Sequence, residues 1–442
     1  MGITTDIAKF AVSTSIEDLP ANVLHEAKRD VINVIGCAVY SARDPSLRII
    51  LDVFAAEGGK PRASIWGTDR RVSLQQAALA NGYTGHLEDY DDTHFPTVLH
   101  PSSPTVPAAY AVAEDLGLSG RQLLYATALG IELSCRVALA VHPWHYDEGW
   151  HITGTMGVFG PAIAAGLLLG LDQPKMVACL GIGGTQAAGV REVFGSMTKP
   201  FHAGRAAAAG LISAQLAAGG FTSTEQIFEG RRGVAAVLSA ESDLSRITEG
   251  LGDRWEIFNN GLKPYACGVV NHPIIDACKA LRARGVDAGA IESIEAEVHP
   301  LVPELVSIKD PKIGLEGKFS VYHCIAIGLR HGAAFPAQFS DAEAADPANT
   351  PIRHAVTLVK NESFEEDEAV VRLTLKDGTK LEERVEHATG APQNPLTDAP
   401  LTEKFLELAT PTLGESGAKA LLDRLWRLDE APNLSGVFAN GA

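Results

Sequence analysis

The sequence predicts a mainly α protein with a large all-helical domain and a smaller α+β lid domain. The chain has 442 residues, which exceeds the ~250–300 at which one hydrophobic core usually stops growing. Apolar residues recur at helical spacing until about residue 260. The alternation typical of strands begins only after that point, so the two parts of the chain are expected to fold differently.

The first 260 residues are predicted to be all-helical. Apolar positions three or four residues apart follow Pro20, as in an amphipathic helix with one buried face. The most apolar stretch, residues 158–171, contains Pro161 and is too short to span a bilayer, so we expect a buried helix there. The helical positions after Pro20 are Val23, Leu24, Ala27, Val31, Val34, Ile35 and Ala38.

The pattern changes in the second part of the chain. Helices are expected at 273–284 and 321–329, and strands at 293–298, 355–359, 370–375 and 381–385, with Asp377-Gly378 as a turn. After the Pro-rich connection 390–400, helical spacing returns. We therefore predict a helical domain of residues 1–265 and 400–442 and a lid domain of residues 266–399. An active site is expected at the domain interface.

The composition of the chain indicates which classes of molecule it is expected to bind. Lys and Arg number 37 against 54 Asp and Glu, a net charge of −17, and no basic cluster is present, so nucleic acid is not expected to bind. An anionic substrate would need locally concentrated positive groups. The six cysteines show no metal-binding spacing, and the amino terminus has no export or anchor pattern. We expect a cytoplasmic protein with no membrane partner.

Residues 81–103 contain the first group of reactive side chains. Acids at 88, 89, 91 and 92 are followed by Thr93 and His100. Close carboxylates repel one another, which raises at least one pKa and suits a general base. Asp and His are also metal ligands, but no spacing such as H-E-x-x-H is present. The structural alternative is a helix end with a solvated acidic face.

Three further segments supply candidate residues. Tyr146 and His151 form a plausible acid and base pair, although a buried tyrosine is more often structural. Residues 197–205 gather Lys199, His202 and Arg205, the local positive charge that an anionic substrate requires. Near the predicted domain boundary lie Lys263 and Tyr265.

Other common chemistries lack their motifs. GIGG at 181–184 follows no predicted strand, so helix packing is expected there instead of a dinucleotide turn. The sequence contains neither a P-loop nor a G-x-S-x-G elbow. Hydride transfer, phosphoryl transfer and esterase chemistry are therefore disfavoured.

Five segments occur in order over more than 300 residues: HLEDYDDT with a following HPSS, then GWHITGTMGVFG, MTKPFHAGRAA, LKPYACG and GAPQNPLT. In these segments the chain resembles the MmgE/PrpD family. The resemblance implies a homodimer with a helical domain and a lid, without a metal or an organic cofactor. It also implies a small polycarboxylate substrate, since family activities include 2-methylcitrate dehydration, cis-aconitate decarboxylation and iminodisuccinate epimerisation.

Site roles follow from the same resemblance. A lyase that abstracts a proton next to a carboxylate is the leading hypothesis, and the alternatives are a dicarboxylate epimerase and a non-catalytic carboxylate-binding protein. The resemblance implies active-site positions for Asp89, Thr93, His100, Tyr146, His151, Lys199 and Lys263. Together with the chemistry of the segments above, it leads us to expect catalytic roles for Asp89, His100, Tyr146, His151 and Lys199. Substrate contacts are expected from Thr93, His202, Arg205, Lys263 and Tyr265.

Overall fold

The computed structural model describes residues 2–438, and the chain forms two compact units. The larger unit contains residues 2–87, 91–261 and 397–438, and the smaller contains 88–90 and 262–396. Helices make up 58% of the structure, which confirms the mainly α prediction. The role of the smaller unit as a lid, and a site at the domain interface, stay predictions.

The larger unit begins with a long series of helices. Before residue 262 the helices are α1 (Ile3–Ser13), α2 (Ala21–Ser41), α3 (Pro45–Glu57), α4 (Leu74–Leu87), α5 (Ser102–Leu116), α6 (Gly120–Val141), α7 (Trp144–Asp147), α8 (Ile152–Thr155), α9 (Phe159–Leu168), α10 (Gln173–Gly184), α11 (Thr198–Ala218), α12 (Val234–Leu238) and α13 (Ser245–Thr248).

The prediction of an all-helical first part is wrong in detail. Four short strands interrupt it: β1 (Ala63–Ser64), β2 (Arg71–Val72), β3 (Asp92–His94) and β4 (Asn260–Leu262). β1 pairs with β2, and β3 pairs with β4. Strands of two or three residues are too short to show an alternating pattern, and β4 lies far from β3 in the sequence. The sequence therefore carried no periodic signal for them.

The smaller unit contains the α+β pattern that the sequence predicted. Its helices and strands are α14 (His272–Ala283), β5 (Ile291–Val298), α15 (Leu301–Leu305), α16 (Gly314–Gly317), α17 (Val321–His331), α18 (Asp341–Ala344), α19 (Thr350–Ala355), β6 (Val356–Lys360), β7 (Ala369–Leu375) and β8 (Lys380–Val385).

A four-stranded sheet in the order β6-β5-β7-β8 organises this unit. β5 runs parallel to β6 and antiparallel to β7, which forms a hairpin with β8. One row of paired residues crosses all four strands and is apolar throughout: Val356, Ile294, Leu373 and Leu381. The predicted turn at Asp377-Gly378 is confirmed, since Gly378 has the positive φ of 84° that favours glycine.

The last helix, α20 (Asp398–Trp426), belongs to the larger unit and is interrupted at Gly414, where φ is 72°. It packs on α2, where Phe405 lies against Gly36. By length and composition alone, one described helix, α6, could cross a membrane. However, 89% of its most apolar window is buried in the protein, as in a core helix.

Two glycines let α4 and α11 approach closely. A methyl group on Gly204 would lie 2.3 Å from the carbonyl oxygen of Leu79, and one on Gly82 would lie 2.9 Å from the Cα of Gly204. Contacts this short exclude any side chain larger than hydrogen. α4 ends next to the candidate site and α11 begins there, so this contact sets the distance between their site residues.

We expect Gly204→Ala to destabilise the protein by about 1–3 kcal/mol, because overpacking forces the two helices apart. Gly219→Ala is the matched control, since a methyl group there would have only ordinary contacts, the nearest at 3.4 Å. The measurement is urea unfolding followed by circular dichroism. Equal midpoints for the two variants would contradict the close helix contact.

Candidate active site

A group of buried polar side chains lies inside the larger unit, around the end of α4 and the first turn of α11. Three histidines form its centre: His86 at the end of α4, His100 just before α5, and His151 just before α8. The ring centres of His86 and His100 are 4.5 Å apart, and His151 lies 6.0 Å from His86 and 6.4 Å from His100. The ring of His202 adjoins this group, with its centre 5.1 Å from that of His151.

His86 is oriented by Asp91. The Nδ1 atom of His86 lies 2.8 Å and 3.0 Å from the two carboxylate oxygens of Asp91, and neither side chain is exposed. Ser103 donates its hydroxyl to the same carboxylate at 2.6 Å. Because a carboxylate only accepts hydrogen bonds, Nδ1 carries the proton, and the neutral ring has its lone pair on Nε2. This is the arrangement of a general base held by an acid.

His100 is held by the backbone of the acidic segment. Its Nδ1 donates to the carbonyl oxygen of Asp92 at 2.6 Å, with the hydroxyl of Thr93 at 3.2 Å. The amide of His100 donates to the Thr153 hydroxyl at 3.1 Å. A carbonyl cannot donate, so His100 also has its lone pair on Nε2 when neutral. Two histidines therefore present basic nitrogens within one buried cluster.

His151 and His202 form a third pair, with their Nδ1 atoms 2.9 Å apart. One ring must donate and the other accept, so at least one of them is neutral. Burial is the main cause that lowers the pKa of His151, followed by the charge of Lys199. Burial, His86 and Arg205 lower the pKa of His202 to about 4. Both rings are therefore neutral near pH 7, and an arriving anion would favour their protonation.

Two cations adjoin the histidines. Lys199 is 94% buried in the first turn of α11, with its ammonium 5.6 Å from the ring centre of Phe194. Arg205 donates one Nη atom to the carbonyl oxygen of Gln186. Its Nη1 is buried and has no hydrogen-bond partner among residues 2–438. A substrate carboxylate would satisfy that donor.

Asp92 and Asp30 are two buried carboxyl groups linked through Asn260. Asn260 donates its amide to Asp92 at 2.7 Å and to Asp30 at 3.0 Å. Ser102 donates both its amide and its hydroxyl to Asp92. Burial and the charge of Asp91 raise the pKa of Asp92 to about 6, and burial and Asp92 raise the pKa of Asp30 well above its usual range. The alternative of a solvated acidic face is therefore wrong for this segment.

Tyr146 lies in α7, next to Arg191 and His142. The guanidinium of Arg191 is 4.0 Å from the centre of its ring, and the ring of His142 is 6.2 Å away. The same Arg191 donates to the backbone carbonyl of Tyr146 at 2.9 Å. These contacts are packing contacts, so a role for Tyr146 as an acid stays a prediction.

The other predicted residues belong to the smaller unit. Lys263 donates to the carboxylate of Asp89 at 2.7 Å and to its carbonyl oxygen at 3.0 Å, and both side chains are buried. Asp89 has a φ of 52°, unusual for a residue other than glycine. Lys318 binds Glu88 in the same way, at 2.6 Å and 2.8 Å. Two lysines therefore hold residues 88–90 in the smaller unit.

Tyr265 is also engaged within the smaller unit. Its hydroxyl donates to Asp276 and accepts from Lys279 at 2.8 Å. Burial, followed by the charge of Asp276, raises the pKa of Tyr265, so its hydroxyl stays protonated. Its predicted contact with substrate stays a prediction.

Comparison with models of known protein families assigns the chain to one family. The MmgE/PrpD N-terminal domain model matches residues 5–247, and the MmgE/PrpD C-terminal domain model matches residues 265–429. The chain belongs to the MmgE/PrpD family. The resemblance seen in the sequence is thereby confirmed.

Several cis-aconitate decarboxylases are similar to this MmgE/PrpD protein over more than nine-tenths of their own length. The enzyme of Aspergillus terreus is 26% identical, over 99% of this chain and 95% of its own. The human enzyme is 25% identical over 98% of this chain and 93% of its own, and the mouse enzyme is 24% identical over 98% and 92%.

Several residues of this MmgE/PrpD chain that were predicted for the site do lie together, whereas other residues of the cluster were not predicted. Thr93, His100, His151, Lys199 and His202 lie together in the larger unit, as the contacts above show. Asp91 and Asp92 were recognised only as members of the acidic group. The missed residues are His86, Ser103, Asp30, Asn260, Phe194 and, in the smaller unit, Lys318. His86 lies five residues before Asp91, a spacing that could have indicated a pair. Asp30 and Asn260 are too distant in sequence to give any such signal.

Replacing one of the two buried carboxyl groups by an amide should stabilise the protein at high pH. An acid whose pKa is raised by folding is tolerated at low pH, and stability is lost as the pH rises through the folded-state pKa. We expect Asp30→Asn to gain about 1–2 kcal/mol over the wild type at pH 8 and less at pH 5. Urea unfolding at both pH values measures this, with Asp52→Asn on the surface as control. An equal effect at both pH values would contradict a raised pKa for Asp30.

Breaking the Lys263–Asp89 pair should be costly, because it leaves a buried carboxylate without its cation. We expect Lys263→Met to destabilise the protein by about 3–5 kcal/mol, and Lys263→Met with Asp89→Asn to recover part of the loss. The exposed Lys376→Met serves as control and should change stability by less than about 0.5 kcal/mol. Thermal unfolding of the wild type and the three variants gives the comparison. An unfolding temperature of Lys263→Met equal to that of the wild type would contradict the predicted cost.

Proposed function

We propose that this protein is a lyase that acts on a small di- or tricarboxylate, without an organic cofactor, through proton transfer at a carbon next to a carboxylate. The observation that carries the proposal is the buried cluster in which His86 and His100 present basic nitrogens next to His151, which the charge of Lys199 affects. Decarboxylation of cis-aconitate or a close analogue is favoured, since several relatives similar over more than nine-tenths of their own length are named for that reaction.

Charge complementarity supports an anionic substrate. The chain has a net charge of −17, so a polyanion would be repelled unless cations were concentrated locally. Lys199 and the Nη1 donor of Arg205 supply that concentration within the larger unit. His151 and His202 are neutral without substrate, and they would gain protons as the negative charge arrives.

The chemistry requires a stabilised carbanion. In decarboxylation, the electron pair of the breaking C–C bond moves into the double bond conjugated with a second carboxylate, and CO2 leaves. The extra negative charge rests on carboxylate oxygens, where Lys199 and Arg205 would stabilise it in a water-poor environment. A protonated imidazole then delivers a proton to carbon, and water restores the imidazole's proton.

Dehydration is the second candidate, and the His86–Asp91 pair favours it. Decarboxylation needs only a proton donor, whereas loss of a hydroxyl group from a hydroxylated tricarboxylate needs a base for the C–H proton and an acid for the leaving oxygen. His86, oriented by Asp91 with its lone pair on Nε2, fits the base. His100 or Lys199 would act as the acid.

The test is proton NMR in deuterated water with cis-aconitate, citrate, 2-methylcitrate and iminodisuccinate in separate samples. We expect cis-aconitate to be consumed with release of CO2. Lys199→Ala and His100→Gln should each lower kcat/KM by about 10²–10⁴. His25→Gln, on the surface, is the control and should keep full activity.

Each other outcome has a distinct meaning. New alkene signals from a hydroxylated acid without CO2 would establish the dehydratase. Deuterium exchange into recovered substrate without consumption would replace the lyase by an epimerase. Binding with neither reaction nor exchange would support the alternative of a non-catalytic carboxylate-binding protein.

A further inference from the structure

The three central histidines are arranged like the ligands of a metal ion. One ring nitrogen each of His86, His100 and His151 lies within 4.8 Å of those of the other two, and all three residues are buried. Tetrahedral zinc with Zn–N bonds of about 2.0–2.1 Å needs nitrogens roughly 3.4 Å apart. A bound ion would therefore hold the three nitrogens closer together than the 4.8 Å limit.

Hydrogen bonds at the Nδ1 atoms already orient each of the three rings for metal binding. The Nδ1 atom of His86 donates to Asp91, that of His100 donates to the carbonyl of Asp92, and that of His151 is paired with His202. Histidines that bind metals generally donate their other nitrogen to a carboxylate, a carbonyl or a similar partner, which fixes the tautomer. Ligation is therefore expected through Nε2 in all three rings, with His151 as the donor to His202.

We propose that His86, His100 and His151 bind one divalent transition-metal ion such as Zn2+, and that this ion inhibits the enzyme by competing with its substrate. An all-nitrogen set suits zinc, cobalt, nickel and copper, whereas magnesium and calcium prefer oxygen ligands. The inhibitory part rests on the proposed function, since it requires these nitrogens to transfer protons. Metal binding itself does not depend on it.

Two charges near the cluster act in opposite directions on a bound cation. Asp91 contacts His86 directly and favours the ion. Lys199 interacts electrostatically with His151 and opposes it. The site is therefore expected to bind reversibly, so that a chelator can remove the ion. Substrate carboxylates and the metal then exclude each other from one set of nitrogens.

The experiment measures binding separately from activity. Zn2+ binding to the purified full-length protein is followed by calorimetry, and Co2+ binding by its visible absorption. We expect one ion per chain in the wild type and at least tenfold weaker binding in His86→Gln, His100→Gln and His151→Gln. His25→Gln, an exposed histidine beside Asp398, should bind like the wild type, and Mg2+ should not compete.

Circular dichroism of each variant accompanies the titration, to separate loss of binding from misfolding. Asp91→Asn is a further variant, chosen because it changes no proposed ligand. It keeps all three ligands but weakens the orientation of His86, and we expect about tenfold or greater loss of affinity.

The outcomes separate this proposal from the lyase proposal. Inhibition that follows Zn2+ occupancy, rises with lower substrate concentration and reverses with a chelator would support the competition. Zn2+ binding without lyase activity would leave the metal site standing and refute the proposed function. Lyase activity in a protein that binds no Zn2+, or binds it equally well in the three histidine variants, would overturn the metal site.

Discussion

Asp91 and Asp92 are neighbouring carboxyl groups with no exposed surface, and the bonds that keep them buried organise the candidate site. A buried carboxylate is costly unless it accepts hydrogen bonds. The first turn of α5 supplies them, from Ser102 to Asp92 and from Ser103 to Asp91. The partial positive charge at the start of that helix adds to the stabilisation. His86 and His100 are oriented by these same two residues, one through a carboxylate and one through a backbone carbonyl.

The position of the cations depends on helix packing. Lys199, His202 and Arg205 share one face at the start of α11 and are spaced at helical intervals. That helix approaches α4 closely because Gly204 and Gly82 have no side chains. Burial and the neighbouring ammonium of Lys199 both lower the pKa of His151. A polyanionic substrate would reverse that balance, so the site is complementary in charge to such a ligand.

In the smaller unit, buried lysines bind a short segment of the chain. Lys263 and Lys318 each bind both the side chain and the backbone carbonyl of one residue in segment 88–90. This segment leaves the larger unit after Leu87 and returns at Asp91. Asp89 and Lys263, predicted as a catalytic and a substrate-binding residue, are thus also a structural pair. Their variants need stability measurements before any loss of activity is interpreted.

The sequence by itself determined the mainly α composition, the helix after Pro20, the strands and helices of the smaller unit, and the family. These features depend on local periodicity and on short ordered motifs, which one chain displays directly. It also selected His100, His151, Lys199 and His202 from their segments.

Only the tertiary structure decided which of these side chains meet. Asp30 and Asn260 join Asp92 across more than 60 and 160 residues of chain, and no local pattern encodes such contacts. The same holds for the pairing of β3 with β4 and for the tautomers of the three histidines, since a ring's proton is placed by the partner that folding brings to it.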